Sequence, residues 1–234
     1  FFLMREIIFD TETTGFNPYS NQGDKNDRIV EIGAIEVIDL KPTGKVFHHY
    51  INPERSIPDE VVKIHGIDDE KVKDCPTFDK IAQKWLDFVG DDAKLVAHNA
   101  KFDMKFINAE LIWAGKSGIQ NERVVDTLPM ARQTFPGQQA TLDALCKKFS
   151  IDNSARTYHG ALLDSELLLD VYIELRGGKQ RGFELASEAT NNDNKSIVSK
   201  NRPYREFKAS QEELKSHNEF IEKQIENSLW KKNS

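Results

Sequence analysis

Two acidic residues at the end of a predicted strand are the first candidates for chemistry. Asp10 and Glu12 belong to the run Asp10-Thr11-Glu12-Thr13-Thr14-Gly15, which follows the apolar stretch Glu6-Ile7-Ile8-Phe9. Because side chains alternate along a strand, both carboxylates lie on one side, and a divalent cation would relieve their repulsion. The alternative interpretation is a solvated strand end with two ordinary acids.

Three further segments carry residue types that match such a site. They are His98-Asn99-Ala100-Lys101-Phe102-Asp103, His159-Gly160-Ala161-Leu162-Leu163-Asp164 and Ile64-His65-Gly66-Ile67. Together with the first pair, Asp103 and Asp164 bring the number of carboxylate ligands to four. A site rich in hard oxygen ligands suits magnesium or manganese rather than zinc or copper.

The spacing of His159 and Asp164 restricts how both residues can face one site. Five residues along a helix correspond to about 500° of rotation, which leaves the two side chains roughly 140° apart. We therefore place His159 on the loop before the helix, where Gly160 gives the chain freedom to turn. A histidine beside an attacking water is a suitable general base, because its pKa lies near working pH. The alternative is a surface loop histidine.

The three motifs, in this order, resemble those of the DEDDh 3′–5′ exonucleases over roughly residues 5–178. The resemblance is stronger still to the proofreading exonucleases of bacterial replicative DNA polymerases. Further segments that carry it are Phe135-Pro136-Gly137, Leu142-Asp143-Ala144-Leu145-Cys146 and Thr157-Tyr158-His159. The resemblance implies an enzyme that removes mismatched 3′-terminal nucleotides from DNA by phosphodiester hydrolysis with two divalent cations, Mg²⁺ or Mn²⁺.

The same resemblance implies a role for each residue of the site. Asp10 would bridge the two cations. Glu12 and Asp164 would hold the cation that carries the nucleophilic water, and Asp103 would hold the other. His159 would take the proton from that water.

Substrate contacts follow from the resemblance as well. Glu60 would lie near the 3′-hydroxyl of the terminal nucleotide and His65 near its base or sugar. Asp10, Glu12 and Thr13 of the first motif are also expected to bind the substrate. Asn99, next to the second motif, would contact the phosphate side. The alternative for His65 is an exposed residue in a turn after a short helix.

Two neighbouring residues have uncertain roles. His98 orients the site from behind the metal ligands, or it is an ordinary buried histidine whose hydrogen bonds are satisfied. Asp126 is a candidate helix cap before Leu128.

The hydrophobic pattern predicts an α/β fold. Strands are expected at 5–10, 28–39, 45–52, 95–98 and 124–127, with a turn at 41–44, and helices at 78–89, 101–114, 128–134, 141–149 and 161–176. This order indicates a central mixed sheet flanked by helices. The resemblance makes it the ribonuclease H-like (exonuclease) fold, to which a C-terminal tail with one short amphipathic helix is added.

Composition favours a globular cytoplasmic protein. The chain has 234 residues, of which 38% are hydrophobic and 30% charged. We expect no membrane segment and no signal peptide before the first strand, and we expect Phe1-Phe2-Leu3 to precede a natural start at Met4. Cys75 and Cys146 form no paired motif, so free thiols in a reducing compartment are expected.

The charge of the chain is uneven. Its net charge is −6, but residues 195–234 hold nine Lys and Arg against six Asp and Glu, which leaves −9 on residues 1–194. This acidity argues against tight independent binding of DNA, and it agrees with an enzyme that meets only a single-stranded 3′ end.

Three regions are predicted along the chain: an exonuclease domain at 4–178, a flexible linker at 179–206 and a tail at 207–234. In the tail, Ser210-Gln211-Glu212-Glu213 forms a capping box. The helical spacing of apolar residues predicts a docking face made of Leu214, Ile221, Ile225, Leu229 and Trp230. The resemblance implies that this face binds the polymerase catalytic (alpha) subunit; the alternative is packing on the nuclease domain.

Other partners rest on weaker patterns. Residues 180–185, Gln180-Arg181-Gly182-Phe183-Glu184-Leu185, resemble a sliding-clamp peptide, with ordinary linker as the alternative. A small accessory subunit on the nuclease domain is a further expectation from the resemblance.

Two other function classes stay open at this point. One is a free-standing DEDDh nuclease that trims RNA or short oligonucleotides, which would not need a tethered capped helix. The other is a catalytically silent adaptor, against which the complete set of four carboxylates and one histidine argues.

Overall fold

The computed structural model describes residues 4–19, 26–154, 156, 158–177 and 210–224. The chain divides into two units, Phe1–Glu184 and Leu185–Ser234. The linker at 179–206, including the candidate clamp peptide at 180–185, lies outside the described residues. None of the helices in the described ranges combines the length and apolar character that a membrane span needs.

A five-stranded mixed sheet forms the centre of the first unit. Its strands are β1 (Arg5–Thr13), β2 (Ile29–Ile38), β3 (Lys41–Tyr50), β4 (Lys94–Ala97) and β5 (Val124–Asp126). They are arranged in the order β3-β2-β1-β4-β5. The β1–β2 and β2–β3 pairs are antiparallel, whereas β1–β4 and β4–β5 are parallel. The predicted mixed sheet is confirmed.

The turn between β2 and β3 lies earlier than predicted. The sequence suggested a turn at 41–44, but Ile38 pairs with Lys41, so the chain reverses at Asp39 and Leu40. Both turn residues have positive φ, 49° and 63°. Two left-handed residues make the tight hairpin whose twist matches that of the strands. The prediction failed because neither residue is a glycine or an asparagine, the usual signals of such a turn.

Seven α-helices accompany the strands in the first unit as the structure describes it. They are α1 (Asp59–His65), α2 (Asp69–Val72), α3 (Phe78–Val89), α4 (Ala100–Trp113), α5 (Thr127–Thr134), α6 (Leu142–Phe149) and α7 (Ala161–Leu175). The bounds of α3 to α7 agree with the predicted helices to within one residue. His65 is the last residue of the short helix α1, and α2 follows it after three residues.

The two faces of the sheet are buried against different helices. Ile7 and Phe9 belong to one cluster with residues of α3 and α4, such as Trp85 and Phe106. Ile8 belongs to another cluster with residues of α7. Since side chains alternate along β1, the even-numbered residues at its carboxyl end lie on the α7 side. The packing of this core therefore decides which helix stands beside Asp10 and Glu12.

In the second unit the structure describes one helix, α8 (Gln211–Gln224). The predicted capping box is present: the Ser210 hydroxyl accepts from the Glu213 amide (3.2 Å), and the Glu213 carboxylate accepts from the Ser210 amide (2.8 Å). Leu214 is 45% exposed and Phe220 58% exposed. Of the predicted docking residues, Ile225, Leu229 and Trp230 lie outside the described residues, as does the side chain of Ile221.

Candidate active site

A cavity of about 570 Å³ opens where β1 and β4 end. Its lining comes from the carboxyl end of β1, the start of α4, the start of α7 and the loop before α6. The lining includes Asp10, Glu12, Asp103, His159, Asp164 and Arg132. The structure thus brings all five predicted catalytic residues into one cavity, although their order along the chain spans more than 150 positions.

The two carboxylates on β1 are held in an unfavourable electrostatic environment. Glu12 is 9% exposed. Burial, followed by the charges of Asp164 and Glu31, raises the pKa of Glu12 to about 8. Burial and the carboxylates of Asp103, Glu12 and Asp164 raise the pKa of Asp10 well above its ordinary value. An added positive charge beside them would favour the ionised form of both groups.

Asp103 is fixed by β1 itself. It is 3% exposed in the first turn of α4, and its Oδ1 accepts from the Thr11 amide (3.1 Å) and the Thr11 hydroxyl (2.7 Å). Burial raises the pKa of Asp103 to about 7, although these hydrogen bonds act in the opposite direction. The carboxylate is therefore oriented before any ligand arrives.

His159 and Asp164 approach the site from two parts of the same segment. Asp164 lies in the first turn of α7, whereas His159 precedes the N-cap residue Gly160, as its spacing predicted. His159 Nδ1 is 3.6 Å from Asp164 Oδ2. Potential ligand atoms of Glu12, His159 and Asp164 all lie within 4.8 Å of one another. The His159 amide donates to the carbonyl of Ile64 (3.1 Å), which attaches this loop to α1.

The start of α7 is held against β2 by contacts that the sequence did not reveal. Glu31 is buried and accepts from the amide of Ala161 (3.1 Å) and from His48 Nε2 (2.7 Å). A Cβ on Gly33 would lie 2.2 Å from the backbone nitrogen of Leu162, so only glycine permits this approach. The Ser165 hydroxyl donates to the carbonyl of Gly33 (2.9 Å). These contacts set the position of Asp164 relative to β1.

Arg156 is a second residue that sequence reasoning missed. Its Nε and Nη2 donate to the two oxygens of Asp164, both at 2.6 Å, and Nη2 also donates to His159 Nδ1 at 2.8 Å. Its Nη1 donates to Asp143 at 2.6 Å. Arg156 stands alone in a polar loop, where neither periodicity nor a motif would have singled it out.

Of the predicted substrate-binding residues outside the carboxylate cluster, Asn99 lines the cavity and Glu60, His65 and Thr13 do not. Asn99 lines the cavity in a left-handed conformation (φ 63°, ψ 46°). Glu60 is exposed in the first turn of α1, and the Thr13 hydroxyl donates to the carbonyl of Gly15 (2.6 Å). His65 is 5% exposed and not an exposed turn residue. Glu60, His65 and Thr13 are not among the residues that line the cavity, and their contact with a substrate stays a prediction.

His65 nevertheless has an unusual environment. Its Nδ1 accepts from the amide of Ile67 (3.0 Å), and burial lowers its pKa. Its Nε2 is buried with no hydrogen-bond partner among the described residues. The backbone of Thr13 also interacts with the ring and acts on this pKa in the opposite direction to burial.

His98 and Asp126 act as supports of the cavity. His98 Nε2 donates to the carbonyl of Ala140 (2.6 Å), and Nδ1 bonds to the Thr127 hydroxyl (2.8 Å). Burial lowers the pKa of His98, which agrees with a neutral, satisfied ring. Asp126 Oδ1 accepts from the amides of Leu128 and Asn99, both at 3.0 Å. Asp126 therefore caps α5, as predicted, and also fixes the left-handed turn before α4.

The donor set fits divalent cations of the magnesium type. It consists of carboxylate oxygens with one imidazole nitrogen, which is a hard site. Three of the four carboxylates have raised pKa values, first because they are buried and, for Asp10 and Glu12, also because other carboxylates are close. Bound cations would remove this cost, since they are the largest local charges in such a site.

Comparisons with known proteins agree with this geometry. The exonuclease family model matches residues 7–172. The DNA polymerase III subunit epsilon of Rickettsia felis is 46% identical over 225 residues, covering 93% of this chain and 96% of that protein. The protein of the same name from Escherichia coli K12 is 36% identical over 240 residues, covering 98% of each.

Solved structures show the same fold. Exonuclease X, in complex with 5′ overhanging duplex DNA, aligns with a TM-score of 0.55 and 26% identity over 74% of this chain and 90% of the other. Escherichia coli exonuclease I, in complex with a dA16 oligonucleotide, aligns with a TM-score of 0.62 over 74% of this chain and 41% of the other. At 16% identity the second likeness concerns the fold alone.

Proposed function

This chain belongs to the exonuclease family, and from that membership we propose that it is the proofreading 3′–5′ exonuclease of a bacterial replicative DNA polymerase. It removes mismatched nucleotides from the 3′ end of DNA. One observation carries this function: the similarity to DNA polymerase III epsilon subunits extends over 93% to 98% of the chain. It therefore includes the region beyond the nuclease domain, which a free-standing nuclease does not need.

The carboxylate cluster would hold two divalent cations. Asp10 would contact both, Glu12 and Asp164 would hold one, and Asp103 would hold the other. When bound, such cations supply electrostatic stabilisation of the attacking and leaving oxygens of the phosphodiester. Mg²⁺ and Mn²⁺ both suit these oxygen ligands.

The residues of the chain itself provide orientation and proton transfer. Thr11 holds the Asp103 carboxylate in one orientation through two hydrogen bonds. Glu31 and Gly33 hold α7, so that Asp164 stays beside Glu12. His159, on the loop before α7, accepts the proton of the attacking water. Such proton transfer typically contributes about 10²–10⁴-fold to a rate.

The substrate would be a single-stranded 3′ end of DNA that enters the cavity from its open side. Asn99 lies at the cavity wall for a contact with phosphate. His65 would contact the base or sugar of the terminal nucleotide. Glu60 and Thr13 would act beside it.

A primer extension substrate tests the function directly. Purified protein is mixed with a primer whose 3′ end is either mismatched or paired, with Mg²⁺, with Mn²⁺ or with EDTA. We expect release of nucleoside monophosphates only with metal, and faster release from the mismatched end. An RNA primer in parallel decides against the alternative function, because a nuclease that trims RNA would degrade it at least as fast.

The tail would attach the enzyme to its polymerase. The capped helix α8 exposes Leu214 and Phe220, and a short helix of this kind is marginally stable without a partner. We propose that residues 207–234 dock on the polymerase catalytic subunit, with the predicted linker as a tether that raises the effective concentration of the nuclease. A sliding clamp at 180–185 and a small accessory subunit are further proposed partners, and the cytoplasm is the proposed location.

Size-exclusion chromatography tests the docking. Full-length protein should co-elute with the catalytic subunit, and a chain truncated after Gly178 should not. The truncated chain should still hydrolyse a free single-stranded primer at an unchanged rate. Co-elution of the truncated chain would show that the tail is not the anchor.

A further inference from the structure

Arg156 makes three kinds of contact at the heart of the cavity. Its guanidinium binds both oxygens of Asp164 at 2.6 Å, His159 Nδ1 at 2.8 Å and Asp143 at 2.6 Å. The Arg156 side chain is 7% exposed, whereas that of Asp143 is 56% exposed. The arginine thus reaches from the surface into the carboxylate cluster.

These contacts engage the groups that the proposed reaction needs. A guanidinium has only donors and does not lose its proton in proteins, so His159 Nδ1 must be the acceptor. In a neutral ring the proton is then on Nε2, and the lone pair of Nδ1 is already in use. In this arrangement His159 has no free nitrogen with which to accept a proton from water.

The negative charges that line the cavity explain why a buried guanidinium is stable there. Asp10, Glu12, Asp103 and Asp164 are crowded together, and buried charge is tolerated only when it is paired. Among the described residues that line the cavity, the other arginine is Arg132, for which the structure gives no contact with these carboxylates. Arg156 is therefore the compensating charge that the structure places in contact with Asp164. A divalent cation bound beside Glu12 and Asp164 would be repelled by the positive charge of Arg156.

We propose that Arg156 is an internal counterion that competes with divalent cations for Asp164 and leaves His159 when they bind. Asp143 gives the guanidinium an exposed partner after it withdraws. The inference rests on the proposed metal site and assigns Arg156 a positioning role: its withdrawal returns the lone pair of His159 to the reaction. Metal binding and release of the base are thereby coupled through one side chain.

Titration of the full-length protein with Mn²⁺ alone, by isothermal calorimetry, tests the proposal without a substrate. Arg156→Gln should bind Mn²⁺ more tightly than the wild type, by roughly tenfold, because a like charge a few ångströms from the ion is removed. Arg156→Lys keeps the charge but not the two-pronged contact, so its affinity should lie between the two. Arg132→Gln removes an arginine from the same cavity and should leave the affinity within about threefold of wild type.

Thermal melting separates this role from a merely structural one. In EDTA, Arg156→Gln should melt below the wild type, because it loses the compensating charge. On addition of saturating Mn²⁺, its rise in Tm should exceed that of the wild type, as tighter binding requires. If Arg156→Gln does not fold without metal, the same comparison is made with Arg156→Lys.

Two results of the Mn²⁺ titration distinguish a failure of the competition from a failure of the proposed metal site. Equal or weaker Mn²⁺ binding by Arg156→Gln and Arg156→Lys would overturn the competition, even if the enzyme is an exonuclease. Failure of the wild-type protein to bind Mn²⁺ at all would instead contradict the proposed metal site.

Discussion

Glu12 and Glu31 stand directly opposite each other in the β1–β2 register, although both are buried. Like charges in this arrangement destabilise a sheet. Glu31 is compensated by His48 and by the amide of Ala161. For Glu12 the charge of Arg156 only partly offsets burial and the neighbouring carboxylates, and its pKa is raised. Glu12 is thus available as a ligand for a cation, whereas Glu31 positions the start of α7.

The raised pKa of Glu12 predicts how stability depends on pH without metal. Between its ordinary value of 4.5 and about 8, the folded state binds more protons at Glu12 than the unfolded state does. The stability that the folded state gains from holding Glu12 protonated is therefore fully present below pH 4.5 and is lost as the pH rises through about 8. In EDTA, Tm should fall over this range, by an amount equivalent to roughly 1.4 kcal/mol for each unit by which the pKa is raised.

Glu12→Gln serves as the control for this effect. Its melting temperature in EDTA should fall less over the same range, and Mg²⁺ should flatten the wild-type curve because a cation compensates the ionised carboxylate. Parallel curves for wild type and variant would show that Glu12 does not titrate in this way.

Asp10→Asn should abolish hydrolysis with no loss of the fold. As a proposed ligand, Asp10 would supply charge for the cations, and loss of several kcal/mol of transition-state stabilisation lowers the rate by at least about 10³-fold. Since the wild-type carboxyl is destabilised by burial, the variant should melt at the same or a higher temperature in EDTA. Single-turnover hydrolysis of a mismatched primer and thermal melting give the two readouts.

Asp164→Asn should behave differently from Asp10→Asn in stability. It should be equally inactive, but it should melt at a lower temperature because it weakens the bidentate contact that holds the buried Arg156. Equal melting temperatures for the two variants would argue against a stabilising Asp164–Arg156 pair.

His159→Ala should slow turnover by about 10²–10⁴-fold while Mn²⁺ binding is retained. His159 is proposed as the base, and the carboxylates remain to hold the cations. His49→Ala, on β3 and outside the cavity lining, is the matched control and should keep the wild-type rate. Loss of Mn²⁺ binding in His159→Ala would make this residue a ligand and not a base.

Gly33→Ala should damage both stability and activity. The new Cβ would lie 2.2 Å from the nitrogen of Leu162 and would push α7, with Asp164, away from β2. Overpacking of this kind costs typically about 1–3 kcal/mol. Gly160→Ala is the control, because a Cβ on Gly160 would meet nothing within 4 Å and the φ of this residue is −145°. A tolerated Gly33→Ala would mean that α7 has room to shift.

The sequence predicted the parts of the site that depend on local pattern. The strand before Asp10, the N-terminal position of Asp103 in α4 and the loop position of His159 all follow from strand alternation, helix periodicity and a single glycine. The family resemblance then supplied the roles. The mixed sheet was predictable from the order in which strands and helices follow one another along the chain.

The missed features depend on contacts between distant parts of the chain. Glu31 and Ala161 are 130 residues apart, and Gly33 is required only because α7 happens to cross β2 at that point. Arg156 is notable only once Asp164 and His159 are placed around it. Side chains with such roles have no local signal, because their function is created by tertiary packing.

The position of β1 has a consequence for how the enzyme can fail. This strand, which carries Asp10 and Glu12, is hydrogen-bonded to β2 on one side and to β4 on the other. The amide protons of Glu6, Ile7 and Ile8, which are paired on both sides, should therefore be among the slowest to exchange with deuterium. Asp10 and Glu12 lie beyond this doubly paired part of β1 and pair with β2. Denaturant that loosens the carboxyl end of β1 should thus inactivate the enzyme before the centre of the sheet opens.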